Sequence, residues 1–159
     1  MGMDVTGRAP KSREGGYFRA NVWSWRPIHA LIHIANVRNG NRLVPEKVMM
    51  YLGTNDGRGL EDQESCDKLA KAIEWLLGYP AAIREHGLEV GKDDEGEYIG
   101  LPVESSPLLC DREGHLYTEE DARKRKVALE DLCSAYRTSL PHVREFIAFL
   151  RNCGGFEVW

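Results

Sequence analysis

A chain of 159 residues, 42% apolar and 29% charged, has the size and composition of one ordinary globular domain. It is long enough to bury a core without metal or disulfide staples, and too apolar for a disordered chain. A formal net charge of −4 argues against broad electrostatic binding to DNA or RNA, and a local basic pocket remains compatible with it.

Met3 to Val5 reads as a short strand, followed by a Gly/Pro/Ser loop through Gly16 and an extended segment from Tyr17 to Asn21. A helix is expected from Ser24 or Pro27 to Val37, because Ile28, Leu31, Ile32 and Ala35 recur at helical spacing and proline suits a first turn. Pro45 opens a short helix that points Val48, Met49 and Leu52 inward. Gly53 to Gly59 is then a tight, glycine-punctuated loop. The clearest helix carries Cys66, Leu69, Ala70, Ile73, Leu76 and Leu77 on one stripe and stops at Gly78-Tyr79-Pro80. A helical turn or two follows to His86, closed by Gly87, and weak alternation over 88–104 fits a hairpin with an acidic tip. Thr118 with Asp121 three residues on predicts an N-cap opening a long helix to about Tyr136, whose inward face is Ala122, Leu129, Leu132, Cys133 and Tyr136. Pro141 starts the last helix, with Val143, Phe146, Ile147 and Leu150 inward and Gly154 as its C-terminal cap. Phe156 to Trp159 returns as a strand beside Met3 to Val5. The expected architecture is α+β, a helix-dominated single domain over 1–159 with a small sheet joining the two ends.

No apolar run approaches the roughly twenty residues of a membrane span, and the opening residues lack a signal-peptide core. Cys66, Cys110, Cys133 and Cys153 form no C-x-x-C pair. Free thiols in a reducing cytoplasm are therefore expected.

Several blocks resemble a family of uncharacterised bacterial and bacteriophage proteins. These are Met1-Gly2-Met3-Asp4-Val5 with Gly7, Pro10 and Gly16; Tyr17-Phe18-Arg19; N-V-W-x-W-R-P over 21–27; Asn55-Asp56-Gly57-Arg58-Gly59-Leu60; and Val143 to Phe146 through Phe149-Leu150-Arg151 and Gly154 to Glu157. Together they cover about half the chain. The resemblance implies a phage or mobile-element source and no mechanism. The stretch 79–117 does not match and reads as a variable insert; relatives carry paired C-x-x-C knuckles there, whereas this chain has only Cys110 nearby.

Four constellations stand out. The run from Tyr17 to Arg26 sets Tyr17, Trp23 and Trp25 beside Arg19, Asn21 and Arg26, suited to stacking on a flat ligand and gripping its anionic end. The same residues equally serve as core fillers and structural ion pairs. On the following helix Arg26, His29, His33 and Asn36 share a face; His29 and His33 at i, i+4 can chelate one metal ion, but Ala30 stands where the metalloprotease motif needs Glu. The loop with Asn55, Asp56 and Arg58 precedes a strong helix and suits an anion, although it matches no phosphate-loop pattern and Asp56 also suits a simple turn cap. Arg123 to Lys126 reads as a solvated face.

The expected function is a binding protein that captures an anionic, nucleotide-like small molecule through Tyr17, Arg19, Asn21, Trp23, Trp25, Arg26 and His29, completed by Asn55, Asp56 and Arg58. No cofactor is expected. The alternatives are a hydrolase, metal-dependent or not, with His29 or His33 as general base, and a protein-interaction module, as a homodimer or otherwise.

Overall fold

The N- and C-terminal segments are woven into one antiparallel sheet. The computed structural model describes residues 2–159; Met1, the first residue of the N-terminal motif, lies outside the described residues. Strand β1 (Gly2–Gly7) is central and pairs on one side with β2 (Tyr17–Asn21), Asp4 opposite Arg19 and Val5 opposite Phe18. Period-two alternation decides the faces: Met3, Val5, Phe18 and Ala20 are buried, while Tyr17, Arg19 and Asn21 point to solvent.

Helix α1 (Val22–Arg38) begins directly where β2 ends, two residues earlier than Ser24. Asn21 accounts for that start, since its side-chain oxygen accepts the Ser24 N–H at 2.9 Å and satisfies a first-turn donor. Pro27 therefore lies inside the helix, where it removes one helical hydrogen bond. Trp25, Ile28, Leu31, Ile32 and Ala35 are buried on the inner stripe. Buried Asn36 accepts the Leu43 and Val44 N–H groups, both at 3.0 Å, and so organises the turn that leads to α2 (Glu46–Met49).

Asp62 caps α3 (Gln63–Leu77), whose stripe Cys66, Leu69, Ala70, Ile73 and Leu76 is buried as the periodicity requires. α4 (Pro80–Glu85) closes at Gly87, which takes a left-handed φ of 88°. The hairpin of β3 (Glu89–Asp93) and β4 (Gly96–Gly100) follows, its tip at the acidic run. Next come β5 (Leu109–Cys110), β6 (Leu116–Tyr117), α5 (Glu119–Lys124), β7 (Cys133–Ser134), β8 (Arg137–Ser139), α6 (Leu140–Asn152) and β9 (Phe156–Val158). The sheet orders are β2-β1-β9, β3-β4-β8 and β6-β5-β7. β9 lies beside β1 with Val158 opposite Val5, so a small sheet does join the chain ends within an α+β fold.

A larger expectation also fails. The Thr118–Asp121 capping box is present, but the helix it opens ends at Lys124 and does not reach Tyr136. Ala122 needs apolar partners one turn on, and those positions hold Arg125 and Lys126, so no continuous buried stripe can form. The chain reverses at Lys126, which has a φ of 59°. Cys133 and Arg137 then enter two different sheets, and Leu129 is exposed rather than inward.

The main core gathers side chains from both chain ends with α1, α3 and α6, centred on Trp25, Phe146, Phe149 and Phe156. Leu109, Tyr117, Ala122 and Leu132 form a second, smaller cluster. Among the described residues no helix is long and apolar enough to cross a membrane.

Candidate functional site

Two helices start at one opening in the surface. Ser139 ends β8 and caps α6, accepting the His142 N–H at 3.3 Å, while Asn21 ends β2 and caps α1. Between these two beginnings lies a cleft of about 660 Å³. Arg19, Ala20 and Asn21 of β2 and Ser24 of α1 form one wall; Arg137, Thr138 and Ser139 of β8 and His142 of α6 form the other, with Gly2 at the edge. A helix start carries partial positive charge and unpaired N–H groups, so two of them facing one cleft favour an anion.

The side chains reinforce that sign. Arg19 is exposed and forms no ion pair among the described residues, because Asp4 across the sheet instead accepts the Tyr17 hydroxyl. That hydrogen bond to a carboxylate raises the Tyr17 pKa. Arg137 is more committed: its guanidinium pairs with Asp93 at 3.2 Å, contacts the Cys133 sulfur at 3.6 Å and lies 5.3 Å from the Tyr98 ring centre. His142 stacks on Phe18 with ring centres 4.8 Å apart, and its Nδ1 lies 3.4 Å from a Glu145 oxygen.

Thr138 is the most telling residue of the cleft. It is only 3% exposed, and its hydroxyl is the buried side-chain polar atom that has no hydrogen-bond partner among the described residues. Buried hydroxyls are nearly always satisfied, so this one leaves an unmet hydrogen-bonding group within the cleft wall.

Of the residues expected from the sequence, Arg19 and Asn21 line this cleft and Tyr17 lies beside them on the same face of β2. Trp23 and Trp25 diverge, because the helix already includes both. Trp25 is 2% exposed, donates its indole N–H to the Leu52 carbonyl at 2.9 Å and meets Phe146 edge-on; it is a core residue, not a stacking platform. Trp23 packs on Tyr136 at 4.9 Å, and the Arg26 guanidinium sits 4.8 Å above that same ring. These contacts occupy both side chains outside the cleft.

His29 is half-buried, its ring close to Gly53, and burial lowers its pKa despite a contact with the Met49 backbone that raises it. His33 is exposed, and no third metal-ligating side chain joins the pair among the described residues. Asn36 is committed to its turn, as described above. Asp111, Glu113 and His115 do converge, in an exposed loop where Asp111 ties the turn together by accepting the Glu113 and His115 N–H groups.

The loop with Asn55, Asp56 and Arg58 is remote from the cleft. Gly57 donates to Val158 and Val158 to Arg58, which adds this segment to the β9 edge of the sheet. Arg58 is then three strand spacings from β2, about 14 Å. It pairs with Asp56 at 3.1 Å and stacks 3.7 Å above Tyr51, so it is already partnered. Gly59 is required there, since a Cβ would run into the Phe156 carbonyl oxygen.

Arg137, Thr138, Ser139 and His142 were not singled out by the sequence. Their signal was the Ser139-Leu140-Pro141 sequence, an N-cap before a proline-started helix. A second cavity of about 530 Å³ lies between α1 and α3, where exposed Trp75 stacks on Tyr79 at 4.4 Å and Arg38, Lys68 and Lys71 supply positive charge. Comparison with protein-family models, curated proteins and solved structures finds no match for this chain. The functional reading therefore rests on the cleft.

Proposed function

We propose that the protein binds a small anion in the cleft between the starts of α1 and α6, and that the phosphate end of a nucleotide-like molecule is the group it holds. The observation that carries this reading is the unpartnered hydroxyl of Thr138 beside two helix N-termini and the unpaired Arg19. A phosphate supplies acceptor oxygens for Arg19 and the helix-start N–H groups, and for the Thr138 hydroxyl once binding uncovers it, and the cleft is large enough for a nucleotide-sized ligand. Trp23 and Trp25 play no part in it. His29 and His33 line no part of the cleft, which leaves a hydrolase built on either of them unsupported. A cytoplasmic protein of phage or mobile-element origin that sequesters a nucleotide fits this reading and the resemblance of the chain's motifs.

Isothermal titration with inorganic phosphate, ribose 5-phosphate and adenosine mono-, di- and triphosphate tests it. Saturable binding of at least one, weakened about 10- to 100-fold in Arg19→Ala by loss of a charge-assisted contact, is the expected result. No binding by the unaltered protein, or full binding by a folded Arg19→Ala, overturns it. A protein-interaction role is favoured separately by the exposed Trp75–Tyr79 stack. Self-association that disappears in Trp75→Ser would support it.

A further inference from the structure

Two thiols face each other at the far end of the Arg137 side chain. Cys110 of β5 and Cys133 of β7 are directly opposite in the antiparallel ladder, and their sulfurs are 3.5 Å apart. Opposed residues in such a ladder have Cα atoms about 4.5–5.5 Å apart, inside the range a disulfide spans. Closing the sulfur gap to bonding distance takes a movement of about 1.5 Å. Each strand is only two residues long, so little regular ladder resists it.

We propose that Cys110 and Cys133 are a site of reversible oxidation by low-molecular-weight disulfides, and that the state of this pair sets how Arg137 is presented to the cleft. The two cysteines differ as such a reaction requires. Cys133 is half-buried, with the Arg137 guanidinium 3.6 Å from its sulfur, so it is the more accessible of the two to an external disulfide. Cys110 is buried, and burial followed by its hydrogen bond with Cys133 pushes its pKa up to about 11. It therefore stays protonated until an adjacent disulfide forms.

The Cys133 thiolate attacks one sulfur of the external disulfide, forming a mixed disulfide and expelling one thiolate. Cys110 then gives up its proton and displaces the second thiolate from the Cys133 sulfur. Two protein thiols are oxidised, one external disulfide is reduced to two thiols, and the protons from Cys133 and Cys110 end on those thiols. Cys66 and Cys153 sit in the main core, where their mutual hydrogen bond and then burial raise the Cys66 pKa far above the usual thiol value. They serve as an internal control.

The consequence for ligand binding rests on the cleft reading proposed above. In the reduced state the Cys133 sulfur accepts one Arg137 N–H; a disulfide sulfur is a poorer acceptor, which frees that N–H for an anion. Oxidised protein then binds phosphate-bearing ligands about 3- to 10-fold more tightly.

Full-length protein is equilibrated in glutathione buffers of graded redox ratio, acid-quenched, alkylated and mapped by mass spectrometry. The expected product is a Cys110–Cys133 crosslink that reverses with reduced glutathione, persists in the Cys66→Ser/Cys153→Ser variant and is absent in Cys133→Ser. No crosslink at any ratio, a glutathione adduct that never resolves, or a metal ion retained on the pair in native mass spectrometry overturns the proposal. Titration of adenosine diphosphate into the oxidised and reduced forms tests the link: equal affinities overturn it. The crosslink is read without ligand, so failure of cleft binding leaves that measurement intact.

Discussion

Replacing Thr138 by Val separates what the cleft needs for stability from what it needs for a ligand. Val has nearly the shape of Thr and suits a strand, and Thr138 lies opposite Ile99 in β4. The exchange removes one hydroxyl that has no partner among the described residues. A buried hydroxyl without a hydrogen bond costs about 1–3 kcal/mol, so the ligand-free variant is expected to be more stable by about that amount. For a chain of this length, that corresponds to a rise in Tm of roughly 2–10 °C. Ligand affinity moves the other way: a hydroxyl donating to a charged oxygen contributes about 1.5–3 kcal/mol, so binding of the phosphate-bearing ligand weakens roughly 10- to 100-fold. Urea denaturation followed by circular dichroism gives the first quantity, and calorimetric titration the second. A Val variant less stable than the parent would show that the hydroxyl already has a partner in the ligand-free protein. A more stable variant with unchanged affinity would show that the hydroxyl does not serve a ligand. Either result refutes the reasoning.

Trp25→Phe keeps an aromatic ring but orphans the Leu52 carbonyl and leaves a void beside Phe146. Denaturant titration is expected to show a loss of about 2–4 kcal/mol with cleft binding intact, whereas a ligand-stacking Trp25 would lose binding first. Burial holds the His29 pKa below the usual imidazole value, so below about pH 6.5 the unfolded chain binds the proton more readily. Stability is therefore full above that pH and falls as the pH drops toward the lowered folded value. Tm measured from pH 7.5 to 5 should flatten in His29→Gln; an unchanged slope would place the effect elsewhere. Thr118→Ala removes the N-cap of α5 and should cost about 1 kcal/mol by denaturant titration, with cleft affinity unaltered.

The parts of the fold legible in the sequence were those set by local pattern. Cys66 to Leu76 and Val143 to Leu150 announce their helices by spacing alone, and the alternation of Tyr17 to Asn21 announces a strand. Arg19 and Asn21, on the β2 half of the cleft, were legible on a different ground, as a planar cation and an amide beside aromatic rings in the run from Tyr17 to Arg26. The other half was hidden, because Arg137 to Ser139 are held as a strand by pairing with β4, about forty residues earlier in the chain. Nothing local marks that pairing, and the capping box at Thr118 invites a helix across the region. The tryptophans misled for a simpler reason. Asn21 starts the helix before Trp23, which sends Trp25 to the core and Trp23 onto Tyr136. Joining the loop of Asn55 to Arg58 to the site required knowing that it lies along the opposite edge of the sheet, beside β9.

The measurement that tests the cleft most directly is a titration of isotope-labelled protein with adenosine diphosphate, followed through backbone amide resonances. The cleft account predicts that saturating shifts concentrate at Ala20, Asn21, Ser24, Thr138, Ser139 and His142. Shifts confined to Arg38, Lys71 and Trp75 in the second cavity, or no shifts at millimolar ligand, would contradict it.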